Sequence, residues 1–160
     1  MSSRADSLAD RIEEGAQALA SFVEGLTDEE WKTVAPNDQR SVGVLVHHVA
    51  SAYQVEVDLT RGLASGNPIV GVTWEMIDQM NAKHAQDQSS PDQKETIEML
   101  RQYSKMAADA VRKITDEELD SAAKVSLYAD APLTAQYFIE DHALRHSYHH
   151  LANIKAALNQ

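Results

Sequence analysis

Seven histidines and no cysteine define the chemistry open to this 160-residue chain. Without thiols, a disulfide, a thiolate zinc site, an iron–sulfur cluster and a catalytic cysteine are all excluded, so a bound metal has only histidine and carboxylate ligands. Six histidines fall into two groups: His47 and His48, then His142, His146, His149 and His150. On a helical wheel centred on His48, at about 100° per residue, Val55 and Leu59 lie within about 20° and Val44, Ala52 and Gly62 within about 40°. His48 therefore sits in the middle of an apolar stripe expected to be buried, with His47 at its margin. On a wheel centred on His146, His150 falls near 40° and Ile139 and Ala157 near 20°, roughly, while His142 and His149 turn toward the polar edge with Arg145 and Asp141.

A buried imidazole has to hydrogen-bond or ligate something, because desolvating it unpaired is costly. One inward histidine is ordinarily satisfied by a hydrogen bond. An i, i+4 pair on one face, joined by a third inward histidine from another helix, makes a shared ion the economical solution. His48, His146 and His150 are thus the candidate metal ligands. Three neutral imidazoles leave the ion its full charge and at least one open position, the arrangement of a catalytic site that lowers the pKa of bound water, polarises a carbonyl or binds a thiol. Glu56, about 80° from His48, and Glu140, about 120° from His146, border these stripes as a supporting carboxylate, a general base or a snorkelling side chain. Asn153, on the face of His146, is placed to orient a ligand or substrate. His84, beside Lys83, reads as a surface residue, and the Trp74 to Ile77 and Tyr103 to Met106 groupings as core or dimer surface rather than ligand pocket.

These residues need helices to carry them. Apolar positions recur at three and four rather than alternating, so the chain reads as all-α, with little support for strands. Four long helical segments are expected: about Ser7 to Gly25, Ser41 to Ala64, a split third region of Thr73 to Gln86 and Pro91 to Ile114, and Asp130-Ala131-Pro132 to Leu158. Thr27-Asp28-Glu29-Glu30 and Thr115-Asp116-Glu117-Glu118 are two copies of one capping box, a faint internal repeat. Four long helices and no linker suggest a single-domain four-helix bundle over residues 1–160. A formal charge of −11 repels a phosphate backbone, which disfavours nucleic acid. With no apolar run near eighteen residues and acidic side chains in the first fifteen, neither a membrane span nor a signal peptide is expected, and the chain reads as cytoplasmic.

Ser41-Val42-Gly43-Val44-Leu45-Val46-His47-His48 resembles the Ser-Val to His motif of the DinB/YfiT-like family, whose histidine falls on His48. His146-Ser147-Tyr148-His149-His150-Leu151-Ala152-Asn153-Ile154 is similar to that family's C-terminal H-x-x-x-H-x-x-[QN]-I. Trp31, the Asn81 region and Ile114 to Leu119 extend the resemblance over nearly the whole chain. It implies a four-helix bundle, a divalent metal, usually zinc or nickel, on His48, His146 and His150, and a homodimer. It also implies transferase or isomerase chemistry on a small molecule with a low-molecular-weight thiol. A metal-dependent hydrolase and a non-enzymatic, stress-associated metal-binding protein are the alternatives. Arg40 departs from the pattern, since many members place Trp before the Ser-Val pair. No G-x-S-x-G, P-loop, G-x-G-x-x-G or H-E-x-x-H motif competes.

Overall fold

Capping side chains start nearly every helix in the computed structural model, which describes residues 3–160. Ser3 caps α1 (Arg4–Glu24), Thr27 caps α2 (Asp28–Lys32) and Ser41 caps α3 (Val42–Ala64), each accepting from the backbone N–H three residues on. Thr73 opens α4 (Trp74–Asp87), Asp92 opens α5 (Gln93–Val111) and Thr115 opens α6 (Asp116–Asp120) in the same way. Both threonine capping boxes form: Glu30 and Glu118 return their carboxylates to the Thr27 and Thr115 backbone N–H at 3.0 and 2.8 Å.

The start of the last helix differs from the expectation. Residues placed in a helix from Asp130 instead form an antiparallel hairpin, β1 (Ala122–Val125) with β2 (Ala131–Thr134). Ala129 and Asp130 turn the chain in left-handed conformation, φ 54° and 59°, and Pro132 pairs with Lys124 on a strand with no second partner strand among the described residues, where a missing N–H is tolerated. Ile69 adds a bridge on the other side of β1. Thr134 then caps α7 (Ala135–Ile139), which runs through a π-turn at Glu140–Leu144 into α8 (Arg145–Ala157).

Four helical segments make the bundle: α1, α3, α5 and the composite α7–α8. α5 packs along both α1 and α3, and α8 closes against α1. Their shared core holds Leu8, Ile12, Leu19, Leu45, Val49, Tyr53, Leu100, Ile139 and Ile154, each at most 1% exposed. A smaller cluster of Leu63, Ile69, Val125, Leu127 and Phe138 seats the hairpin on the end of the bundle. α4 stands apart: it has no fully buried residue and lies over α3, tied to the hairpin by Trp74 Nε1 donating to the Leu127 carbonyl at 2.8 Å. Among the described residues no helix is long and apolar enough to cross a membrane.

Candidate metal centre

Two glycines set how closely the histidine-bearing helices approach their neighbours. A Cβ on Gly15 of α1 would stand 2.5 Å from Ser147 Oγ and 2.6 Å from Tyr148 Cε2, so α8 reaches α1 only because that atom is missing. Gly43, one turn before His47, has the same relation to the Trp31 indole at 2.6 Å, and Trp31 is anchored by donating to the Pro91 carbonyl at 2.9 Å. The side chains next to His146 and the first turn of α3 are thus held by packing as well as by their own helices.

Against that frame His48, His146 and His150 meet. One ring nitrogen from each lies within 4.8 Å of the other two. The Nε2 atoms of His48 and His146 are 3.0 Å apart, and the three ring centroids form a near-equilateral triangle of 4.7, 5.3 and 4.8 Å. Burial, then neighbouring cationic groups, push His48 and His150 down to about 2, so both rings stay neutral and keep a lone pair at any ordinary pH. Nδ1 of His150 is buried without a hydrogen-bond partner among the described residues. Nδ1 of His146 is also buried, 3.1 Å from Glu56 Oε1 but not aligned as a hydrogen bond. Partnerless buried ring nitrogens are costly in a finished core. Clustered imidazoles are the donor set that a borderline divalent ion takes, so the residues present fit a metal.

Glu56, read from sequence as one of two candidate carboxylates, stands directly behind His146, its side chain 12% exposed. A carboxylate this close to a ligand ring is placed to orient it. Glu140, the other candidate, is exposed and ion-paired with Arg11 at 3.3 Å, away from the cluster. Asn153 reaches His149, 3.4 Å from Nδ2 to Nε2, and not the three inward rings.

The cluster lies in the wall of a cleft of about 470 Å³. Here the stripe around His48 departs from the wheel: Val55 is 49% exposed, and Ala52, Val55 and Leu59 line the cleft, Leu59 while also packing against the smaller core cluster. His142 also lines it, although the wheel turned it toward the polar edge, because the π-turn at Glu140–Leu144 shifts the helix phase ahead of His146. Its Nε2 is 3.1 Å from the Tyr128 hydroxyl, which donates to Asp141. Burial and the Asp141 carboxylate raise Tyr128 above the usual tyrosine range, so it stays a phenol. Burial lowers His142.

His84, expected on the surface, is half-buried in the cleft and hydrogen-bonded to His47, 2.8 Å from Nε2 to Nδ1. Trp74 and Ile77, expected in core or dimer surface, line it as well. The spacing Trp74, Ile77, Asn81, His84 was the available signal: three, four and three residues trace one face of α4, and that face covers the site.

Residues 11–154 match the sequence profile of the DinB superfamily. The chain belongs to this superfamily. Among solved structures, that of YfiT from Bacillus subtilis superposes on this DinB-superfamily chain with a TM-score of 0.78 at 18% identity, covering 98% of this chain and 86% of that one. At this identity the likeness shows a common fold. YfiT is described as "a probable metal-dependent hydrolase with an unusual four-helix bundle topology". No curated protein matches the chain.

Proposed function

We propose that this DinB-superfamily chain is a metal-dependent enzyme. In this reading His48, His146 and His150 hold one divalent ion, zinc or nickel, and a small molecule reacts in the cleft with a low-molecular-weight thiol. The observation that carries the metal is the convergence of three ring nitrogens from two helices within 4.8 Å, with buried ring nitrogens left partnerless around them. The thiol is supported by the DinB/YfiT-like resemblance and by a chain that supplies no cysteine of its own.

A bound ion of this kind supplies Lewis-acid activation of whatever thiol, water or carbonyl oxygen reaches it. The protein's own groups prepare the place. His48 and His150 present neutral rings, and the Glu56 carboxylate stands 3.1 Å from Nδ1 of His146, whose Nε2 faces His48. Tyr128, its proton directed at Asp141, accepts from Nε2–H of His142 and gives the opposite wall a fixed, uncharged polar pair. Trp74, Ile77 and Val55 shed water from the remaining surface, so a substrate binds by a few polar contacts in an apolar mouth.

Hydrolysis is the second reading, favoured by the likeness to YfiT and by the Glu56 carboxylate next to the cluster. Protein purified without a nickel column and supplemented with zinc is expected to carry about one ion per chain. A His146→Ala, His150→Ala double variant is expected to lose it, and His149→Ala to retain it. Cobalt-substituted protein should change its visible absorption on adding bacillithiol, mycothiol, glutathione or cysteine. An unchanged spectrum with metal-dependent ester cleavage would move the assignment to a hydrolase. Neither activity nor spectral change would leave a metal-binding protein, and full metal retention by the double variant would end the three-histidine reading.

A further inference from the structure

Arg40 takes no part in holding the three histidines, yet it lines the same cleft. Its side chain is only 15% exposed, and Nε is paired with an equally buried Asp38. Nη1 is fully buried without a partner, and no hydrogen bond of Nη2 occurs among the described residues. A guanidinium with this much reach ordinarily swings its open end into water, because burying unpaired donors costs free energy. The backbone prevents that here. Gln39 turns the chain at φ 63°, the Ala35 N–H binds the Arg40 carbonyl at 2.9 Å, and Ser41 immediately caps α3 after bridging to Val34.

The acids of the cleft are already engaged. Asp38 holds Arg40, Glu56 stands against His146, and Asp141 accepts from Tyr128 and pairs with Arg145. Two arginines line the cleft: Arg145, 59% exposed and paired with Asp141 through Nε, and Arg40, the buried one, whose Nη1 is left unpaired. Elsewhere the chain's net charge of −11 repels anions, so an anion entering the cleft depends on its two arginines.

We propose that the cleft selects a small molecule bearing a carboxylate, which the free terminal nitrogens of Arg40 hold while the rest of the molecule faces the three-histidine cluster. A flat, singly charged carboxylate matches the planar guanidinium end left unpaired once Nε is committed to Asp38. A phosphate dianion meets a poorer balance, two arginines against three carboxylates. This assignment rests on the metal-site reading for the second half of the molecule and on Arg40 alone for the first.

The test uses the zinc-loaded full chain and two metal-chelating probes, succinic monohydroxamic acid and its methyl ester, titrated by calorimetry. The parent is expected to bind the acid tighter by about tenfold or more. Arg40→Leu should abolish that preference and Arg40→Lys keep part of it, with helix content by circular dichroism confirming that both fold. Equal affinity for acid and ester in the parent, an undiminished preference in Arg40→Leu, or tighter binding of a phosphonate analogue than of the acid would overturn the carboxylate assignment. Failure of both probes to bind the loaded chain, or of zinc to load, would defeat the metal reading instead. The arginine assignment is then decided by succinate binding to the unloaded chain, read from Trp74 fluorescence. Loss of that binding in Arg40→Leu and partial recovery in Arg40→Lys support it, and equal binding by all three overturns it.

Discussion

The contact between Gly15 and α8 makes a quantitative demand. Replacing Gly15 by alanine puts a methyl 2.5 Å from Ser147 Oγ and 2.6 Å from Tyr148 Cε2. Tyr148 is 42% exposed and can swing, but Ser147 is fully buried and sits next to His146 on the same turn of α8. Overpacking of this kind costs about 1–3 kcal/mol, against which a helical Gly→Ala exchange returns about 0.5–1 kcal/mol. The net expectation is a loss of about 1–2 kcal/mol, or a melting point lower by about 2–8 °C at this chain length. Gly62 in α3 is the matched control, because its added Cβ meets nothing within 4 Å. Gly62→Ala should therefore stabilise by about 0.5–1 kcal/mol from backbone entropy alone. Thermal unfolding followed by far-ultraviolet dichroism reads both variants against the parent, and zinc content after gel filtration reads the effect on the histidine cluster. The two alanines are expected to move the melting temperature in opposite directions, with zinc lost only from Gly15→Ala. A Gly15→Ala protein that melts at or above the parent and keeps its zinc would refute the claim that this contact positions α8.

Glu56→Gln keeps the size of the side chain but removes the charge behind His146, and should weaken zinc binding about 10- to 100-fold in a chelator competition while leaving the metal-free melting point nearly unchanged. The metal-free protein should lose stability as pH falls below 6.5: His48 and His150 refuse protons in the fold down to about 2, whereas the unfolded chain takes them up near 6.5. Stability is therefore complete above 6.5 and declines by on the order of 1 kcal/mol per pH unit for each ring, which urea unfolding at pH 7.5 and 5.5 measures. A pH-independent midpoint would show that these rings are not held neutral. Chelation should leave the bundle folded at room temperature, because a chain of this length buries a sufficient core without an ion; collapse of the far-ultraviolet signal would make the metal structural.

Much of the molecule was legible without coordinates because it is locally encoded. Ser41, Thr73, Thr115 and the two Thr-x-x-Glu boxes announce helix starts through bonds made within four residues. The i, i+4 spacing of His146 and His150 puts both on one face in any α-helix, and the stripe around His48 supplied the third ring. Periodicity, however, reports only that a face is apolar. It does not say whether a core or a cleft lies against it, which is why Val55 and Leu59 proved to be cleft wall and Trp74 and Ile77 a cover over the site. Tertiary contacts decided the rest. The hairpin at Ala122–Thr134 depends on two non-glycine residues in left-handed conformation and on Ile69 from a distant loop, and no local rule asks for either. The π-turn that brings His142 to the cleft changes a helix phase by less than a residue type can signal. Glu56 behind His146, and Arg40 pinned with its terminal nitrogens unpaired, arise from side chains far apart in sequence converging on one cavity. Which of several edge carboxylates or cations arrives there depends on sub-ångström helix packing, and at Gly15 and Gly43 that packing is limited by a single absent methyl group.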